Sequence, residues 1–127
     1  DEGVIRTKKG RKCRFQMWEP KDFGIHTPET FENACSKYGR QNIKRAFTYK
    51  ALNRLIQGSA ADQTKQAIVA CYEAGHLPKI QIHDELCFDV ENEKDVKTIK
   101  EAMENCMEFK VPSKVDVALG DDFGQAS

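Results

Sequence analysis

KIQIHDELCFDV, residues 79–90, holds two alternating apolar runs. Ile80 and Ile82 form the first; Leu86, Phe88 and Val90 form the second. Strict alternation places each set on one face of a strand. His83, Asp84 and Glu85 separate the runs, so the stretch predicts a β-hairpin with an imidazole and two adjacent acids at its tip. Two readings of that tip stand side by side. Asp is a turn former for local reasons, and Glu85 is then only the first solvent-facing strand residue. Alternatively, a tip held by two ladders fixes a carboxylate well enough to hold a divalent cation for phosphoryl transfer. Asp84 then supplies one bridging carboxylate. No second acid has a comparable setting: Asp62 sits in a helical pattern, and Asp89 faces away from the core side of its strand.

Outward from the hairpin, the pattern becomes helical on both sides. After it, Val96, Ile99, Ala102, Met103 and Cys106 predict an amphipathic helix over 93–108. Val115, Val117 and Leu119 then alternate as a last strand, followed by a polar tail. Before the hairpin, apolar residues from Ile43 to Cys71 recur at spacings of three and four, with Gly75 as the stop. Gly58, with Asn53 and Gln57 ahead of it, predicts two helices or one strongly bent helix over 40–74, broken between 53 and 58. Thr27, Pro28 and Gly39 bound a short helix over 28–38. Residues 10–18 read as a strand, 19–26 as a loop, and 1–10 as a polar, frayed start. The expected fold class is α+β: one domain, with an antiparallel sheet of about three or four strands and helices packed on one face.

The 127 residues carry 20 Lys+Arg and 20 Asp+Glu, so zero net charge offers no global argument for a polyanionic partner. The basic residues are nonetheless uneven. Arg6, Lys8, Lys9, Arg11, Lys12 and Arg14 crowd the start, and Arg40, Lys44, Arg45, Lys50 and Arg54 follow. Such numbers suit phosphate contact, and equally suit a solvated face. Asn53 and Gln57 are four apart, on one helix face. They could donate to minor-groove acceptors in a nearly sequence-blind way, or merely cross-link a bent helix. The five cysteines and three histidines show no zinc or redox spacing. No apolar run is long enough to span a bilayer and no signal-peptide pattern is present, so a soluble, intracellular chain is expected.

Taken together, QIHDELCFDV (81–90) and ALNRLIQGSAAD (51–62) resemble the His-Asp-Glu and Asn-x-x-x-Gln-Gly-[Thr/Ser]-Ala-Ala-Asp motifs of the family A DNA polymerases. GRKCRF (10–15) is similar to the family's Gly-Arg segment, and the ending VDVALGDDFGQAS to its C-terminal strand and tail. The resemblance implies the C-terminal part of a polymerase palm, of a phage-like member. It makes Asp84 the metal-binding catalytic aspartate and Glu85 its supporting acid. His83 is then near the primer terminus, Asn53 and Gln57 track the minor groove, and Arg11 contacts DNA. It also implies Mg²⁺ in a two-metal site, with primer-template DNA and a dNTP as partners. Departures exist. The family's arginine four residues before the Asn is Tyr49 here, which moves a DNA contact to Lys50 or removes it. The tail's Trp is Phe123 and its last His is Ser127.

The family's first catalytic aspartate, nucleotide-holding fingers helix and thumb are absent from this sequence. The N-terminus therefore looks cut: the chain is expected to be a cloned fragment or half of a split polymerase, inactive alone. Two other readings are a non-catalytic nucleic-acid- or protein-binding module derived from such a palm, and a small α+β domain with none of this chemistry.

Overall fold

The computed structural model describes residues 2–126. Its elements are β1 (Val4–Arg6), β2 (Lys12–Arg14), β3 (Trp18–Pro20), α1 (Phe31–Tyr38), β4 (Ile43–Arg45), α2 (Ala51–Glu73), β5 (Ile80–Ile82), β6 (Glu85–Cys87) and α3 (Glu93–Glu104). The class is α+β, as expected. Among the described residues the strands form three antiparallel ladders of two, β1–β2, β3–β4 and β5–β6, rather than one larger sheet. The chain divides into two compact units, Asp1–Ser59 and Ala60–Ser127.

In the first unit, the polar start is a strand rather than a frayed end. Val4 pairs with Arg14, Ile5 with Cys13 and Arg6 with Lys12. The connecting turn is held by Thr7, whose amide bonds the Arg11 carbonyl at 3.0 Å and whose Oγ1 accepts from the Arg11 amide at 3.2 Å. Gly10 takes the left-handed conformation that closes the turn, φ +85°. Lys8 and Lys9 at the turn hid this hairpin from hydropathy alone.

The helix expected from residue 40 begins only at Ala51. Ile43 and Ala46 are buried, but Ile43–Arg45 is a strand paired with Trp18–Pro20. Phe47 then turns left-handed, φ 62°, which no helix interior tolerates. Apolar spacings of three and four over so short a run fit a strand–turn as well as a helix, and the β3 partner decides between them. Trp18 also bridges Glu29, with amide–carbonyl distances of 2.8 and 2.9 Å. This keeps Thr27 and Pro28 outside α1. The cap is Thr30, whose Oγ1 faces the Asn33 amide at 3.5 Å. Phe15, Ala34, Ile43 and Ala46 form this unit's core.

The break expected between residues 53 and 58 is absent: α2 is continuous over 23 residues. Its end is a Schellman motif. The His76 amide bonds the Cys71 carbonyl at 2.8 Å, and Gly75, left-handed at φ +91°, bonds Tyr72 at 3.0 Å. In the second unit Ala67, Cys71, Ile99 and Met107 are buried. Helix α3 is capped by Asn92 Oδ1, which accepts from the Asp95 amide at 2.9 Å. It ends four residues earlier than its apolar pattern, where Asn105 bonds the Glu101 carbonyl through both its amide and its side chain. Residues 115–119 form no ladder. The Val115 amide instead donates to Glu104 Oε1 at 2.9 Å, so its alternation is not read out as a strand. The tail is a compact turn in which Gln125 bonds Asp122 and Asp121. Ser127 lies outside the described residues. Among those residues, no helix is long and apolar enough to cross a membrane.

Candidate catalytic and nucleic-acid-binding site

In the first unit the candidate residues are organised by adjacent stripes on α2. Positions 54 and 58 are one helical turn apart and share a face. Above that face run Arg11, Cys13 and Phe15, which alternate along β2 and its flanks. The Arg54 guanidinium carbon lies 5.0 Å from the Phe15 ring centroid, and Arg54 Nη1 is 3.6 Å from Cys13 Sγ. A Cβ built on Gly58 would stand 3.1 Å from Thr7 Cγ2 and 3.6 Å from Arg11 Cδ. Gly58 is therefore where the β1–β2 turn meets the helix, not where the helix breaks.

Asn53 and Gln57 lie one residue earlier, on the neighbouring stripe, and both are exposed. Their amides are free of the cross-linking role that a bent helix would have given them. Gln57 follows the helix to the point where Arg11 approaches Gly58, so the first unit brings Arg11 close to the amide stripe. Lys50 lies just ahead of α2, with its ammonium 5.0 Å from the Phe47 ring and 5.7 Å from the Tyr49 ring. The two aromatic faces restrict that cation without neutralising it.

In the second unit Ile82 pairs with Glu85, which leaves His83 and Asp84 as a two-residue turn. His83 is left-handed at φ 53°. A non-glycine residue there costs on the order of 1 kcal/mol. Local turn preference would have placed Gly or Asn at this position. Gln81 Nε2 donates to the His83 carbonyl at 3.4 Å, from within the hairpin. Asp84 and Leu86 are two apart and share a face. They line a shallow pocket of about 190 Å³ with Ala60, Gln63, Thr64 and Ala67 of α2, Met103 of α3, and Val115. Glu85, between them, points to the opposite face of the ladder. The two acids are adjacent in sequence but aimed apart, which suits unequal roles.

Their oxygens are hard donors of the kind Mg²⁺ prefers, and that ion commonly takes one or two carboxylates, with waters and phosphates completing the octahedron. Asp84 fits such a partial donor set. Among the described residues no group of three or more His, Cys, Asp or Glu could hold a metal.

Two features escaped the sequence reading. Arg54 was only one member of a basic run, and its stacking on Phe15 depends on β2 crossing that stripe. Gln63 borders the Asp84 pocket and donates to Ser113 Oγ at 2.7 Å. Its spacing from Ala60 and Ala67 was the available signal.

The family model for DNA polymerase family A matches residues 1–125. The chain belongs to the family A DNA polymerases. It is 43% identical over 124 residues to the DNA-directed DNA polymerase of Pseudomonas phage M6, covering 98% of this chain and 15% of that protein. It is 32% identical over 90 residues to the thermostable DNA polymerase I of Thermus aquaticus, covering 65% of this chain and 11% of that protein. With DNA polymerase I of Mycobacterium leprae the identity is 35% over 96 residues, covering 68% of this chain and 10% of that protein. This family A chain thus spans 15% or less of the length of these relatives. No solved structure matches it significantly.

Proposed function

We propose that this chain is the C-terminal palm portion of a DNA-directed DNA polymerase, working in template-directed nucleotidyl transfer on primer-template DNA with a dNTP. The observation that carries the reading is Asp84: an acid at a two-residue turn, held by the β5–β6 ladder and lining a pocket with residues of α2. Asp84, with Glu85 in a supporting role, would hold Mg²⁺. When bound, that ion neutralises charge developing on the transferred phosphoryl group. Asn53 and Gln57 present amide donors to the minor groove, where acceptors on all base pairs are alike, so they sense pairing geometry without reading sequence. Arg11 and Lys50 supply cations to the phosphate backbone. His83, left-handed at the tip, would lie near the primer terminus.

One carboxylate position and no clamp for a nucleotide cannot align two reactants, so the isolated chain is inactive. A further polymerase portion, on the same polypeptide or a separate chain, supplies the second carboxylate. The test is primer extension by the polymerase that carries this chain. Asp84→Asn should lower turnover by more than about 10³-fold, several kcal/mol of transition-state stabilisation. Retained turnover refutes the metal assignment and leaves a binding module derived from a palm. Extension by the 127-residue chain alone, abolished by Asp84→Ala, refutes the dependence on a second portion.

A further inference from the structure

Among the described residues, Arg54 is a cation without a counter-charge. It is half-buried, its guanidinium carbon lies 5.0 Å from the centroid of the buried Phe15 ring, and Nη1 lies 3.6 Å from the Cys13 thiol. A thiol sulfur is a weak acceptor, and a guanidinium carries five N–H donors. Among the described residues no carboxylate lies within ion-pair distance of it. Packing does not explain the charge. A Leu or Met at position 54 would cover Phe15 without desolvating a cation.

The surroundings are of one sign. Residues 3–18 contain six Lys or Arg and no acid, and residues 33–61 contain another six and no acid. Arg54 follows Asn53 in sequence, precedes Gln57 by under one turn, and shares its stripe with Gly58, beside which Arg11 passes. The ring covers one side of the guanidinium without supplying an acceptor of comparable strength to an anion. Stacked, pre-oriented Arg is the side chain best suited to bidentate phosphate recognition.

We propose that Arg54 binds a backbone phosphate of the nucleic acid whose minor groove Asn53 and Gln57 follow. The inference rests on the nucleic-acid reading of the proposed function, but it assigns a separate contact of a different kind. Phosphate neutralisation releases counterions, and each contact adds about 0.9 to the slope of log K against log salt on B-form duplex. Amide contacts to bases add nothing to that slope.

The experiment measures the affinity of the 127-residue chain for a fluorescent primer-template duplex over a salt series. Arg54→Met should bind more weakly with a slope shallower by about 0.9, while Arg54→Lys keeps the slope. Circular dichroism establishes folding, and Arg54→Gln serves if the Met variant unfolds. A folded Met or Gln variant with the full wild-type slope overturns the assignment. Asn53→Ala combined with Gln57→Ala should weaken binding at unchanged slope. If that pair has no effect, the amide reading falls while Arg54 stands on its own slope. If the wild type fails to bind even at about 20 mM salt, where phosphate contacts are strongest, both fall.

Discussion

A Cβ on Gly58 would lie 3.1 Å from Thr7 Cγ2, closer than comfortable van der Waals contact. The β1–β2 turn and α2 are thus in contact at the one helix position that has no side chain. Two effects oppose each other in Gly58→Ala: about 1 kcal/mol of helix propensity gained, and a contact that must yield by a few tenths of an ångström. The expected net change in urea-unfolding free energy is small. Gly58→Leu has no such room and should destabilise by about 1–3 kcal/mol. A Leu variant as stable as wild type would mean that the turn does not rest on the helix.

His83 offers a separation of stability from function. Its left-handed backbone costs on the order of 1 kcal/mol, which glycine would relieve. His83→Gly should therefore raise the thermal midpoint of the second unit. In the polymerase that carries this chain, the same change should slow primer extension. A variant that is more stable and fully active would leave the imbalance at this turn without a role.

Asp84, in the turn, lines the α2 pocket and Glu85, the first ladder residue, does not, so equal chemistry should not mean equal effect. Glu85→Gln is expected to lower turnover by about tenfold, against more than about 10³-fold for Asp84→Asn. Equal losses, measured under saturating nucleotide, would show that the strand geometry does not divide their work.

Cys71 gives a pH signature. Burial first, and the neighbouring Cys106 thiol second, push its pKa above the ordinary thiol range. The native state therefore keeps a proton that the unfolded chain releases more readily. That contribution is complete below the unfolded value of about 8.5 and is lost as pH rises through the native one. Unfolding free energy should thus decline on the alkaline side. Cys71→Ala should flatten that decline, at a packing cost of about 1 kcal/mol. A wild-type curve level to about pH 10 would contradict the burial of this thiol.

The outcome of each local pattern depended on whether it needed a distant partner. The hairpin was legible as far as Ile80–Cys87, because alternation and turn position are properties of contiguous residues; Phe88 and Val90, expected in its second strand, lie beyond the ladder. So were α3 and the Gly75 stop, where periodicity and a left-handed glycine act within a few residues. The Gln-Gly-Ser-Ala-Ala-Asp and His-Asp-Glu motifs were likewise enough to point to the polymerase family. By contrast, Ile43, Ala46 and Phe47 fit a helix until Trp18–Pro20 claimed Ile43–Arg45 as a strand. Gly58 looked like a helix break until Thr7 and Arg11 were found against it.

Residue types and their spacing thus determined the chemistry on offer: a carboxylate at a hairpin tip, paired amides on a helix, and an excess of cations in the first half. Only the tertiary structure decided their company. It set Asp84 but not Glu85 in the α2 pocket, and Arg54 over Phe15 with no carboxylate partner among the described residues. The reason is that side-chain direction follows from local backbone period, whereas contact follows from which strands and helices pack together across long stretches of chain.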